Sequence, residues 1–196
     1  MALEPIPSKS DGEATVEDYR ALDDGERYEL IRGNLVVTPA PSFEHQVVAH
    51  ELVRRIGSHV RDGDLGYCVE APVDVVLSDD TVLQPDLLFV SHERFSDVYD
   101  GHGLSGAPDL VVEILSPGTV KRDRIEKMDL YADAGVPWLL LVDPGERFVE
   151  VFELDAASGT YRREGRASDD ESLSCGLFPD LRIDLAEVWF DPPSGV

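Results

Sequence analysis

The sequence predicts an α/β (α+β) domain: a mixed β-sheet flanked by helices. Two observations predict it. Short apolar runs of strand length, at 87–90, 110–115 and 138–142, alternate with segments whose apolar residues recur at helical spacing. The order strand, helix, strand across 110–142 needs a right-handed crossover, which makes part of the sheet parallel. A chain of 196 residues is long enough to bury one core. Residues 1–14 read as a disordered lead-in, 15–190 as a single domain and 191–196 as a tail.

Each element has a local reason. Thr15 and Asp18 form a capped start, and Val16, Tyr19 and Leu22 share one side of a short amphipathic helix. Residues 28–31 and 35–38 flank Arg32-Gly33-Asn34, which reads as a hairpin with Gly33-Asn34 at the positive-φ positions. Pro39 and Pro41 end it. Ser42 caps a helix reaching about Val60, with Val47, Leu52, Ile56 and Val60 at helical spacing. In 67–77, Val69, Val73, Val75 and Leu77 alternate around Pro72, so the run reads as a strand with a bulge or edge there. Asp79-Asp80 is a turn, and 87–90 is a short apolar strand. Residues 91–107 hold charge and glycine and read as a loop with a helical turn. Gly101–Gly106 fits no phosphate-binding fingerprint, because no strand leads straight into it. After the strand at 110–115, Thr119 caps a helix from Val120 to about Ala134, which Gly135 ends. The strand at 138–142 turns at Asp143-Pro144-Gly145 into another at 148–154, and 177–190 reads as a closing turn and a short helix.

Formal net charge is −23, with 40 Asp and Glu against 17 Lys and Arg. A nucleic-acid binder ordinarily carries a basic footprint. Three explanations stay open at this stage: a substrate that is not a polyanion, a local basic patch assisted by metal ions, or a salty or high-GC host. Lysine stands only at 9, 121 and 127. Lys121-Arg122-Asp123-Arg124 is the most basic stretch, either a solvated helix start or a grip on a phosphate backbone. No apolar run approaches the roughly 20 residues of a membrane span. The first residues are polar and acidic, unlike a secretory signal. A cytoplasmic protein without a membrane partner is expected. Cys68 and Cys175 match no zinc spacing and read as a buried thiol and a loop residue.

The informative oddities are charges inside apolar strands. Glu113 lies between Val112 and Ile114, and an isolated buried carboxylate is costly unless paired or bound to metal. Asp86 stands at the mouth of the 87–90 strand, just after Pro85. Two carboxylates on neighbouring strands suit Mg²⁺ or Mn²⁺, which prefer oxygen ligands. Lys127 shares a helix face with Val120, Tyr131 and Ala134, the face that should lie on the sheet. Metal and ammonium together are what phosphodiester cleavage needs.

Pro85-Asp86, then Glu113, then a helical lysine resembles the PD-(D/E)XK nuclease superfamily. Closer is the resemblance to the Uma2 (DUF820) family. It rests on Tyr28-Glu29-Leu30-Ile31-Arg32-Gly33, Pro41-Ser42-Phe43-Glu44-His45, Pro85-Asp86, Val112-Glu113-Ile114-Leu115-Ser116-Pro117, and Lys127 to Asp143-Pro144, in that order over roughly 15–190. The resemblance implies a restriction-endonuclease-like core. It also implies a metal held by Asp86, Glu113 and a backbone carbonyl near Ile114, with DNA as substrate. The position two after Glu113 is Leu115 instead of the superfamily's lysine, which points to Lys127 in that role. Glu29 and His45 match family positions and complete the candidate catalytic set. Folds of this type often pair two sites on a duplex, so a homodimer is expected by analogy.

Every one of these residues also has a purely structural reading. Glu113 can pair with Arg122, Arg124 or Lys127. Asp86 can be a solvated turn residue, Lys127 a snorkelling surface lysine, Glu29 a cross-strand partner and His45 a helix-start hydrogen bonder. A second function follows from these: a non-catalytic binding or assembly module that keeps the nuclease fold.

Overall fold

A computed structural model describes residues 13–116 and 122–192. The first helix, α1 (Val16–Arg20), opens on a capping box: the Thr15 hydroxyl accepts from Asp18 N, and the Asp18 carboxylate accepts the Thr15 N–H. The hairpin β1 (Tyr28–Ile31) and β2 (Asn34–Val37) follows. Its positive-φ pair is Arg32 (47°) and Gly33 (75°), not Gly33-Asn34. Asn34 instead begins β2, and its amide donates to the carbonyls of Ile31 and Arg32. Helix α2 (Phe43–Asp62) starts at Ser42, whose hydroxyl accepts from His45 N. Its buried stripe is Val48, Ala49, Leu52, Ile56 and Val60; Val47 lies at the margin.

The run 67–77 is not one strand. It breaks around a cis Ala71–Pro72 bond into β3 (Gly66–Glu70) and β4 (Val75–Ser78), which join different sheets. Then come β5 (Thr81–Leu83) and β6 (Leu87–Ser91). Residues 91–107 hold more structure than one turn: α3 (His92–Val98) and the two-residue β7 (Leu104–Ser105). Next are β8 (Leu110–Ile114), α4 (Arg122–Asp133) and β9 (Trp138–Asp143). Gly135, at φ 79°, terminates α4 as expected. Thr119 and Lys121 lie outside the described residues, as do the side chains of Arg122, Asp123 and Arg124. The chain closes with β10 (Phe148–Asp155), β11 (Thr160–Ser168), β12 (Ser172–Cys175), β13 (Phe178–Asp184) and a single 3₁₀ turn, Leu185–Glu187. The closing segment therefore leads with a strand before its short helix.

Two main sheets result. One is ordered β2-β1-β5-β4-β7 and the other β11-β10-β9-β8-β6-β3, with β12-β13 as a separate pair. Both main sheets are mixed, because β8–β9 and β4–β7 pair in parallel while the other pairs are antiparallel. Side chains two apart on a strand share a face, and this period divides the core. Leu87, Phe89, Val112, Ile114, Leu140 and Val142 pack against the α2 stripe. Val111, Leu139 and Leu141 face the other way, onto Leu130 and Tyr131 of α4. The six-stranded sheet thus sits between two helices.

Most of the expected lead-in falls outside the described residues. Ala14, within them, is buried, and its N–H donates to Gly33 O at 3.0 Å. Cys68 and Cys175 are free thiols beside the α2 core, the second in β12 and not in a loop. No helix among the described residues is long and apolar enough to cross a membrane. Ile56, at 1% exposure, anchors α2 to the sheet. Ile56→Ala is expected to cost about 2–5 kcal/mol of stability, read as a lower urea midpoint. A loss near zero would mean that α2 is not held by this stripe.

Candidate active site

The strands β6 and β8 run antiparallel with Leu87 opposite Val112. One step further along this register, Asp86 stands across from Glu113. Asp86 extends the ladder with its side chain: Oδ2 accepts from Ile114 N at 2.7 Å. Ile114 and Val112 turn toward α2, so Glu113 turns toward α4 with Val111. There α4 presents Lys127 and Tyr131, four residues apart and on one face.

Helix α4 and strand β1 meet β8 at Glu113. Lys127 Nζ donates to Glu29 Oε1 at 2.8 Å and lies 3.3 Å from each Glu113 oxygen. Tyr131, fully buried, donates its hydroxyl to Glu113 Oε1 at 2.6 Å. Glu29 reaches in from β1 of the other sheet, and its Oε1 also accepts from Gln84 N at 2.9 Å. His45, in the first turn of α2, sets Nε2 at 3.3 Å from Asp86 Oδ2, while its Nδ1 is buried without a hydrogen-bond partner among the described residues. Asp86, Glu113, Lys127, Glu29 and His45 therefore all line one cleft of about 990 Å³. Glu29 is opposite Val36 in its hairpin, so it has no charged partner directly across the strands. Glu113 does take the ion pair expected on structural grounds, and its partner is Lys127.

Three carboxylates around one ammonium cannot all be compensated. Burial pushes the Glu113 carboxyl up to about 7, with the Asp86 and Glu29 charges acting the same way against Lys127 and Tyr131. Burial works against the Lys127 charge, but Glu113, Glu29 and Asp86 outweigh it and hold the ammonium protonated above its usual range. The Tyr131 hydroxyl, raised by burial and by Glu113, stays a donor. Burial lowers the His45 imidazole, yet its Asp86 hydrogen bond, the charges of Asp86 and Glu113 and the Ile114 backbone leave it above the ordinary value.

The donor chemistry decides whether a metal fits. Among the described residues, no group of three or more His, Cys, Asp and Glu side chains is arranged to hold an ion. That argues against an all-protein cage of the zinc type. A hard cation of the Mg²⁺ class asks less, since it keeps several waters and takes one or two carboxylates. Asp86 Oδ1 has no partner among the described residues, and Glu113 Oε2 is met only by Lys127. These two oxygens, with the carbonyl of Ile114 next to Glu113 in the chain, are of the kind such an ion takes.

The match of the chain to known proteins bears on this geometry. Residues 16–186 match the model of the Uma2 family, described as "Putative restriction endonuclease". The chain belongs to the Uma2 family. Among solved structures it is similar to a protein from Anabaena variabilis ATCC 29413 described as "a putative nuclease belonging to DUF820". That likeness has a TM-score of 0.72 at 20% identity, over 89% of this chain and 96% of the other. At such identity it shows the shared fold. No curated protein matches the chain.

Sequence reasoning placed Tyr131 on the sheet-facing side of its helix but gave it no role at the site. It missed Gln84 altogether. The signal for Tyr131 was present in part: a polar hydroxyl four residues after Lys127 on an apolar face. Nothing local marks Gln84, whose side-chain and backbone partners are 10, 55, 57 and 65 residues away.

Linkage gives a test of the charge cluster. A group whose pKa is raised on folding supplies stability below its unfolded value and loses it as pH rises. Lys127 thus stabilises throughout the range below 10.5, whereas Glu113 costs stability as pH climbs from 4.5 toward about 7. Lys127→Met leaves Glu29 and Glu113 buried without their cation. It should cost about 3–5 kcal/mol at pH 8, and clearly less at pH 5, where Glu113 can fold protonated. Urea denaturation at both values checks this; an equal loss at both would contradict the charge cluster.

Proposed function

We propose that this Uma2 protein is a Mg²⁺- or Mn²⁺-dependent nuclease hydrolysing DNA phosphodiester bonds. One observation supports it above the others. Asp86 and Glu113, from neighbouring strands, converge in an open cleft beside the Lys127 ammonium. A structural ion pair needs one carboxylate, and here Asp86 and Glu29 crowd the same cation. The family description and the fold of the DUF820 protein point the same way.

Asp86 and Glu113 are the residues that would hold the ion. Bound there, it would supply charge stabilisation for the phosphate and a lowered pKa for water. The protein's own groups do the rest. Ile114 N and His45 orient Asp86. Tyr131 fixes the rotamer of Glu113. Glu29 and Gln84 N hold Lys127 at the mouth of the strands, where its ammonium faces developing negative charge. His45, with its raised pKa, is the group in the cleft suited to hand a proton to a leaving oxygen. A homodimer presenting two such clefts would suit a duplex substrate.

The test is cleavage of single-stranded, duplex and branched DNA in Mg²⁺ or Mn²⁺, with wild type beside Glu113→Gln. Wild type should cut only with metal, and the variant should lose at least about 10²-fold. Equal cleavage by both would remove Glu113 from the site. No cleavage by folded wild type would favour the non-catalytic module, a reading that the absence of a three-ligand cluster keeps open among the described residues.

Metal affinity should also depend on pH. Glu113 must give up its proton to ligate, so apparent Mn²⁺ affinity should rise from pH 6 to pH 8, through the value of about 7. Calorimetry at the two pH values reads this. Affinity that is flat across the interval would show that Glu113 is already ionised or is not a ligand.

A further inference from the structure

The cleft contains a cation that none of the preceding roles uses. Arg27 comes just before β1, two residues from Glu29 and so on the same face. Its carbonyl accepts from Thr38 N at 2.8 Å, which holds its backbone in the hairpin. Its side chain lines the same cleft as Asp86, Glu113 and Lys127.

The surroundings of this guanidinium are unusual for this chain. Acidic residues greatly outnumber basic ones, and most arginines here sit on carboxylates, as Arg20 does on Asp100 and Arg94 on Asp109. Arg27 has no carboxylate partner among the described residues. Nη2 makes one hydrogen bond, to the neutral amide oxygen of Gln84 at 3.0 Å. Nε is buried with no partner among the described residues. A guanidinium can give five hydrogen bonds, and this one gives a single side-chain bond. Gln84 itself is held by Asp74 and Tyr19, through Nε2, and by Glu29, through its N–H. An amide thus fixes the guanidinium without neutralising it. Lys127, by contrast, is already engaged by Glu29 and Glu113.

We infer that Arg27 is a substrate-binding residue that takes a phosphate oxyanion of the nucleic-acid backbone beside the Asp86–Glu113 pair; this rests on the nuclease reading. Planar, always charged and short of acceptors, it suits a phosphate better than a lysine would. It contacts backbone and not base, so it contributes affinity without sequence preference.

The test compares wild type, Arg27→Gln and Arg27→Lys, each shown to be folded by circular dichroism. Binding of a labelled duplex in Ca²⁺ is followed by anisotropy across a range of salt. Arg27→Gln should bind roughly 10- to 100-fold more weakly, and its log–log salt slope should be shallower than wild type by about 0.9, one phosphate contact. Arg27→Lys keeps the charge and should keep the slope while binding more weakly. In parallel, inorganic phosphate should raise the melting temperature of wild type and not of Arg27→Gln. Wild-type binding with the same slope in Arg27→Gln overturns the inference and leaves the nuclease reading standing. Phosphate stabilisation lost in Arg27→Gln, with no DNA binding by wild type, keeps the oxyanion site and removes the nucleic-acid substrate. Neither DNA binding nor phosphate stabilisation by wild type overturns both.

Discussion

The architecture of this protein turns on one costly placement: a carboxylate, Glu113, in the middle of an apolar parallel strand pair. Val112 and Ile114 on either side are buried against α2, so the strand cannot shift register to bring Glu113 to water without exposing them. Its charge must be met where it stands. The groups that meet it come from α4, through Lys127 and Tyr131, and Lys127 in turn is shared with Glu29 from the second sheet. The polar cluster is thus the place where the hairpin, the central sheet and the crossover helix are joined. Breaking any one partner leaves another charge buried, a penalty larger than the net worth of the pair.

The same cluster explains why the site is incomplete as a purely structural device. A single ion pair would satisfy Glu113. Asp86 opposite it and Glu29 beyond it make the cluster excessively acidic, and the carboxyl of Glu113 answers by holding its proton to about 7. An arrangement stable in itself would have dropped one acid or added one base. Strain of this electrostatic kind is characteristic of sites that wait for a further cation or for a charge that develops during reaction.

Much of this was legible in the sequence, for a specific reason. Glu113 and Lys127 are charges placed where the periodicity demands apolar residues, and Asp86 stands after a proline at the mouth of an apolar strand, so pattern and exception were both visible. The strands at 110–115 and 138–142 were legible because they are largely buried on both faces and read as apolar runs. What failed was structure whose cause is not periodic. The alternation of Val69, Val73, Val75 and Leu77 continues through Ala71–Pro72, although the chain there leaves one sheet for another. Strand β11 is mostly exposed and carries almost no apolar signal. In the hairpin, Asn34 looked like a left-handed residue but serves by hydrogen-bonding the turn from its first strand position, while Arg32 takes the positive φ. The partners of Gln84 and Arg27 lie in other elements, and only the fold brings them together.

The strongly acidic composition, the hardest fact to reconcile with a polyanionic substrate, looks different at the scale of the cleft. At physiological salt, exposed charges farther than about 8 Å are largely screened, so the net charge of −23 acts weakly on a strand already in contact. Local balance then matters more. Glu29, Asp86 and Glu113 are opposed there by Lys127, by Arg27 and by a His45 whose pKa is raised, while Glu70 and Glu126 add further acid to the lining. The cleft stays acidic, but it is where Lys127 and Arg27 stand together. So negative a molecule gives little long-range steering toward a polyanion. For a polyanion bound in the cleft, salt would have two opposed effects, weakening its contact with Arg27 and Lys127 and relieving repulsion from the rest of the molecule.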